Sequence, residues 1–506
     1  MELDGRSNDG AVLEADLCVV GAGPAGLALA GAFAGGSTDV LVLESGGLGS
    51  EPAPQQLNEA RTVGDRYAGL RVTRHRQVGG TANLWNTPVA GEAGAKYVSL
   101  DPVDVDGLSE LSWSGWPLPW PELDRWYAEA RRLCGLHALD GDGAFRVGGD
   151  RRPLDLGAAR LATSIYELGS SRVFTTDLPE RLRRAANVRL CHDATLCRLL
   201  PDRGGERVGE ALVAGPGGAR LRVRASAFVL AAGAVENARI LLVSDREGRS
   251  RWLGANADWV GRCFMEHPRD YALVLVPRPR LFAEAGFYDL HVDPVGAHVA
   301  GRIALAEELR RRERLPNLSV TLVPRLRRRL PRLGHRYPRS EANWSDVYMS
   351  AVAPSPARHD AFTLLLNLEQ PPHRENRIVL SARRDRLGVP AAELHWRWYE
   401  EDQRGLQRAR QAVAHEFERA GLGRVEVKGS SPDPNAHHHG GTTRMSVDPG
   451  SGAVDPDGRV HGVENVYACG ASVFPTAGFA NPTLTIVALA LRLAAHLQQR
   501  WSPGMT

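Results

Sequence analysis

Near the start of the chain, Ala15-Asp-Leu-Cys-Val-Val20 reads as a short buried strand and runs straight into Gly21-Ala-Gly-Pro-Ala-Gly26. An Ala/Leu-rich stretch then predicts a helix to about residue 34. A second strand follows at Asp39-Val-Leu-Val-Leu-Glu44 and ends on an acid. Short apolar runs bounded by glycine suit strands covered on both faces. The pattern returns at residues 187–192 and 227–233, on either side of a Gly-rich hairpin near Gly204 and Gly217. Residues 266 to 430 look different, with alternating runs such as 271–276 and 393–398, and read as β-rich. Trp113-Ser-Gly-Trp-Pro-Leu-Pro-Trp120 is too proline-rich for a continuous helix and reads as a packed loop entering a helix over 121–133. Residues 465–469 form a last short strand ending at Gly470, and Asn481-Pro482 opens an Ala/Leu helix to about residue 497.

The first unit, strand–turn–helix–strand with glycines at 21, 23 and 26, has a specific use. Gly21 permits a tight turn, Gly23 lets a pyrophosphate reach the backbone, and Gly26 lets helix and strand pack closely. The helix start offers unpaired N–H groups to phosphate. Glu44 stands at the end of the second strand, placed to accept from ribose hydroxyls. Both strands, the helix and the acid are present, so the unit reads as a dinucleotide site. Its place at the head of a long chain leans towards FAD over NAD. Gly233 and Gly470, each ending a strand, are further places for close backbone approach.

Composition narrows the picture without redirecting it. The chain has 506 residues, 43% hydrophobic and 24% charged, which suits two or three globular domains. With 62 basic and 59 acidic residues there is no reason to expect a nucleic-acid partner. Lys96 and Lys428 are the two lysines. Arginines crowd residues 310–339 (Arg310, Arg311, Arg312, Arg314, Arg325, Arg327, Arg328, Arg329, Arg332, Arg336 and Arg339) and read first as a solvated face. The six cysteines lie far apart with no CxxC pair, so neither a disulfide framework nor a zinc site is expected. No apolar run reaches the length of a membrane span. Residues 1–10 lack the layout of a signal peptide, and the expected compartment is the cytoplasm.

The chemical block is C-terminal, at His437-His-His-Gly-Gly-Thr-Thr-Arg-Met445. Adjacent residues of an extended segment point to alternate faces, so three consecutive histidines do not converge on one ion. No carboxylate or cysteine stands beside them at ligand spacing, and no metal is expected. A single histidine acting as a base beside a cofactor is the sharper reading.

Taken in order, these pieces resemble the glucose–methanol–choline (GMC) family of flavin-dependent oxidoreductases, over nearly the whole length. The matching motifs are residues 21–26 with Glu44, Gly79-Gly-Thr-Ala-Asn-Leu-Trp85, Ser114-Gly-Trp-Pro117, residues 229–238, Val260-Gly-Arg-Cys-Phe-Met-Glu-His-Pro268, residues 438–445 and residues 474–485. The pattern is similar to the bacterial branch of pyranose oxidases and glycoside 3-oxidases. The resemblance implies an α/β fold, with a Rossmann-like FAD-binding domain (12–100, 181–268 and 431–500) and a substrate domain of β-sheet plus helices (101–180 and 269–430). It implies oxidation of a CH–OH group to a carbonyl on a sugar, glycoside or related polyol, with His438 as catalytic base and Asn481 as its partner. FAD contacts are implied for Gly21, Gly23, Gly26, Glu44, Gly79, Gly80, Thr81, Asn83, Trp85, Gly233, Gly470, Ala471, Pro482 and Thr483.

Two departures qualify the match. Members with covalent flavin carry His just before the Trp of the Gly-Gly motif. Leu84 stands there, so FAD is expected to be non-covalent. Asn86-Thr87 replaces the Gly-Gly that often follows that Trp. The electron acceptor (oxygen, a quinone or a carrier) stays open. So do two other readings, a dehydrogenase of a non-sugar metabolite and a flavin-bound subunit without catalysis. Trp113, Trp116, Trp120, Trp396 and Trp398 read as packing more readily than as sugar platforms.

Overall fold

The computed structural model describes residues 2–6, 9–107, 111, 114–137, 151–246, 253, 258–326, 359–429, 432–434 and 436–500. The strand expected at 15–20 is the inner half of Val12–Val20, which alternates in exposure up to Asp16 and is buried from Leu17 onward. It lies at the centre of an eight-stranded sheet, between Val40–Leu43 on one side and Arg220–Leu230 on the other, all parallel. Beyond Val40–Leu43 come Val188–His192 and then Glu2–Asp4, also parallel. Val466–Ala468 also lies parallel to Arg220–Leu230, so the C-terminal block returns to the sheet that the N-terminus began. Beyond Arg220–Leu230 the order turns antiparallel through Val208–Ala214 and Thr195–Pro201.

Helices cover this sheet. Pro24–Phe33, almost wholly buried, packs against Thr483–Arg500, which also packs on Trp120–Leu133. The last begins with Pro121 in its first turn, where the missing N–H costs nothing, so the proline-rich run is a loop entering a helix as expected. Trp116 and Trp396 are buried and donate to Thr476 Oγ1 and Gln370 Oε1, at 2.8 and 3.2 Å, which is a packing role. Trp113 lies outside the described residues.

A nine-stranded antiparallel sheet forms the second layer. Its order is Gly423–Val427, Arg269–Pro277, His359–Leu368, Leu318–Leu326, His298–Leu305, Leu161–Ser170, Glu92–Tyr97 and Thr87–Val89, with His291–Val292 paired to His298–Leu305. A small third sheet joins Arg377–Arg384, Pro390–Trp396 and Arg61–Gly64. Strands from 61–97 thus sit with strands from 161–427 as well as beside the glycine turns. The β-rich reading of 266–430 omitted the twenty-residue helix Glu400–Arg419. It starts where Asp402 Oδ2 accepts the Tyr399 N–H at 3.0 Å, and it buries Leu406, Ala409, Val413 and Phe417 against the apolar face of this sheet.

Part of the arginine run is described, and three of its members are ion-paired. Arg310 meets Asp101 at 3.4 Å, Arg311 meets Asp106 and Glu307, and Arg312 meets Glu313 at 2.6 Å. The remainder from Arg327 to Arg339 lies outside the described residues. Among the described residues no helix is long and apolar enough to cross a membrane.

Candidate active site

The turn after Val12–Val20 is shaped by what a side chain would strike. Gly21 has φ +105°, and a Cβ there would lie 2.7 Å from the Ala231 carbonyl oxygen. A Cβ at Gly26 would lie 1.9 Å from the Gly21 carbonyl oxygen, so any larger residue would push the helix off the strand. Gly23 and Gly80 face one another, and a Cβ on Gly80 would come within 2.8 Å of the Gly23 Cα. The helices Pro24–Phe33, Gly233–Arg246 and Thr483–Arg500 all begin at the cleft these turns open onto. Unpaired N–H groups and positive dipole ends therefore converge on it.

That cleft brings together Gly21, Gly23, Glu44, Gly80, Thr81, Trp85, Gly233, Gly470, Ala471, Pro482 and Thr483, together with His438 and Asn481. Gly26, Gly79 and Asn83 stand one step behind its wall. Asn83 Nδ2 donates to the carbonyls of Val78 and Gly80, at 3.0 and 2.9 Å, and so holds the Gly-Gly turn in shape. Glu44 is buried, and its Oε2 accepts the Ala22 N–H at 2.9 Å while Oε1 accepts the Gly46 N–H at 2.8 Å. Burial raises its pKa, opposed by those backbone donors. Donors for a pyrophosphate, room beside glycine backbone and an acid at the strand end fit an FAD molecule.

The other end of the cleft is made of side chains. His438 Nε2 accepts from Asn481 Nδ2 at 3.2 Å, and His438 Nδ1 lies 2.9 Å from His267 Nδ1. Glu266, fully buried, accepts the Tyr67 hydroxyl proton at 2.6 Å on Oε1 and the N–H groups of His438 and His267 on Oε2, at 3.0 and 3.1 Å. Enclosure holds the His438 pKa well below the usual imidazole value, helped by His267, Arg269, His437 and Lys96. His438 is therefore neutral at pH 7, with a lone pair facing Asn481. Burial also lowers His267, to about 4, and raises Glu266 to about 7.

The three consecutive histidines go separate ways. His437 has φ +64° and is exposed, and His439 turns to Tyr67 and Phe264, with Nε2 3.4 Å from Glu266 Oε1. Among the described residues, side chains spaced for a metal occur at Asp4, His192 and Asp193, where Arg6 already pairs with Asp193 at 3.1 Å.

Sequence reading assigned no role to several cleft residues. Glu236 binds Arg74, Arg76 and Arg239 at 2.6, 2.9 and 3.2 Å. Burial alone would raise its pKa, but the three guanidinium groups hold it below the usual range. The doublet Arg74-His-Arg76, just ahead of Gly79-Gly80, was the available signal. Glu266 and His267 lay inside a quoted motif without a function, and Lys96 was conspicuous as one of two lysines. Lys96 is buried at the cleft wall, 6.0 Å from the Tyr166 ring centroid.

Residues 372–490 match the family described as GMC oxidoreductase, in its C-terminal domain. Over 95% of this chain and 92% of the relative, the sequence is 26% identical to the 6'''-hydroxyparomomycin C oxidase of Streptomyces lividus. It is 35% identical to the C-glycoside 3-oxidase of Arthrobacter globiformis over 134 residues, 26% of each chain. Among solved structures, pyridoxine 4-oxidase from Mesorbium loti superimposes with a TM-score of 0.56 at 18% identity, over 96% of this chain and 99% of that one. Formate oxidase of Aspergillus oryzae RIB40 gives 0.55 at 15% identity, over 98% and 99%. In the match of residues 372–490, its two-layered α/β architecture and a cleft suited to FAD, this chain is similar to the GMC oxidoreductases, flavin enzymes that act on alcohol groups.

Proposed function

We propose that the chain oxidises a CH–OH group of a sugar, glycoside or related polyol to the carbonyl, with FAD held non-covalently. His438 is the base and Asn481 its hydrogen-bonding partner. The observation that carries this is the neutral His438 Nε2 facing Asn481 Nδ2 across 3.2 Å at the cleft wall.

The chemistry follows from the residue types. An alcohol holds its C–H hydride tightly, whereas the alkoxide releases it readily. Neutral imidazole in hydrogen-bond reach takes the hydroxyl proton on Nε2. Asn481 cannot titrate, so its amide N–H donates to the substrate oxygen and steadies the charge that grows there. Bound FAD supplies the hydride acceptor. Glycine backbone, Glu44 and the three helix starts would hold that cofactor, and the strands Thr87–Val89 and Glu92–Tyr97 of the antiparallel sheet line another side of the cleft. The division into an FAD-binding domain (12–100, 181–268, 431–500) and a substrate domain (101–180, 269–430) belongs to the same reading.

The sugar class is supported by the relatives, whose names include the 6'''-hydroxyparomomycin C oxidase, C-glycoside 3-oxidase and, at 35% identity over 143 residues, the paromamine 6'-oxidase of Streptomyces fradiae. Non-covalent FAD is supported by Leu84, a cleft residue with no nucleophile, ahead of Trp85. The test is anaerobic bleaching of the purified holoprotein against sugars, glycosides, cyclitols and apolar alcohols. Bleaching by glycosides is expected, and bleaching by apolar alcohols alone overturns the substrate class. The rate of recolouring in air separates an oxidase from a dehydrogenase.

A further inference from the structure

The segment before Pro268 and the segment carrying His438 are laced together. Met265 and Gly440 exchange both backbone hydrogen bonds, at 3.1 Å each, and Arg269 and Asp433 do the same at 2.8 and 2.7 Å. Approach this close requires Gly441, where φ is +83° and a Cβ would lie 2.1 Å from the Cys263 carbonyl oxygen. Glu266 adds a carboxylate bridge to the His438 N–H at 3.0 Å, which pins the backbone at the base. Beside Asn481 at Nε2, one further contact sets the ring. It is made by His267, 2% exposed, whose Nδ1 lies 2.9 Å from His438 Nδ1 with the two rings nearly perpendicular at 78°.

Two imidazole nitrogens at this distance share one proton, and the neighbours decide which ring carries it. Asn481 donates to His438 Nε2, so that nitrogen bears the lone pair and the His438 proton sits on Nδ1. It follows that His438 donates to His267 Nδ1, and His267 carries its own proton on Nε2. We infer that His267 is a positioning residue for His438, an uncharged acceptor that selects the tautomer with its basic nitrogen towards the substrate. The inference rests on the assignment of His438 as base.

A neutral acceptor does work here that a carboxylate would do differently. When the hydroxyl proton arrives on His438 Nε2, the Nδ1–H stays where it is and its hydrogen bond to His267 becomes charge-assisted. No proton need leave the pair. A carboxylate at the same place would hold the ring protonated before substrate arrived. The other titratable groups near His438 are Arg269 and Glu266 from the same segment as His267, His437 from its own segment, and Lys96 from the strand Glu92–Tyr97. The cations Arg269 and Lys96 oppose a resting positive charge on the ring, while the neutral His267 nitrogen accepts from its Nδ1–H.

The experiment uses the FAD-loaded full-length chain and the substrate found by the bleaching panel. His267→Leu removes the acceptor, and His267→Gln restores one through its side-chain carbonyl. In His267→Leu the rate of flavin reduction should fall on the order of 10- to 100-fold with substrate affinity little changed. The acid limb of its pH profile should move down by about one unit, because protonated His438 has lost its acceptor. His267→Gln should recover most of the rate and the limb. Equal losses in both variants, or a wild-type rate and limb in His267→Leu, overturn the inference. His438→Ala, measured beside them, separates the two ideas. If it still bleaches normally the base assignment itself fails, whereas if it is dead and His267→Leu is normal only the role of His267 fails.

Discussion

The two ends of the cleft are built from different materials. At the nucleotide end the functional groups are backbone, from Gly21, Gly23, Gly80, Gly233 and Gly470 and the starts of three helices. At the chemical end they are side chains, namely His438, Asn481, His267 and Glu266. Backbone donors are laid down by local conformation, so most of that wall comes in short contiguous motifs. The side-chain end has to be gathered from afar, since His267 and His438 are 171 residues apart in sequence and touch only because two irregular segments pair. A ligand held by backbone tolerates exchange of side chains that do not block it, whereas the proposed base needs each neighbour in place.

The largest expected effect breaks the chemical end alone. His438→Ala should lower the rate of flavin reduction by about 10²- to 10⁴-fold while FAD stays bound, read from the yellow absorbance and a stopped-flow trace. Gly23→Val tests the other end. Its side chain would enter the space between the helix start and Gly80, so the purified protein should lose most of its FAD and regain little on incubation with excess cofactor. Glu236→Ala attacks the wall between them by leaving Arg74, Arg76 and Arg239 without their common carboxylate. A loss of roughly 3–5 kcal/mol is expected, seen as a lower denaturant midpoint, and a midpoint unchanged from wild type would mean that the cluster is not held by its charges.

The smallest effect concerns pH. His267 is buried neutral, with its folded pKa lowered to about 4 from 6.5. A lowered histidine favours the folded state above its unfolded pKa, and that contribution is lost as pH falls from about 6.5 to about 4. His438 and His439, lowered in the same direction by burial, add to it. Glu266, raised to about 7, acts in the opposite direction, so the readable quantity is the difference: between pH 6.5 and 4 the thermal midpoint of His267→Leu should gain on that of the wild type, and parallel midpoints would mean that His267 is not buried neutral.

Legibility followed the same division. The glycine turn, Glu44 and the strand returning at Arg220–Leu230 were readable because spacing and burial pattern are local. The acid at Glu44 was read for ribose, and its two backbone acceptances from Ala22 and Gly46 were not. The helix Glu400–Arg419 escaped because the alternating runs around it drew attention to strands. Its amphipathic face has meaning only against the sheet it covers. Glu266 and His267 were visible as motif letters but carried no role, since nothing local says that Met265 will pair with Gly440.

Residue order alone thus determined the parallel strands around the glycine turn, the turn itself and the proposed pair His438 and Asn481, because each is written in a contiguous run or matches a motif residue by residue. Tertiary structure decided which tautomer His438 adopts and where its charge is opposed. Those depend on Asn481, His267, Arg269 and Lys96 arriving from separate parts of the chain. Hydrogen bonds and low dielectric act over a few ångströms of space, whatever the distance along the chain.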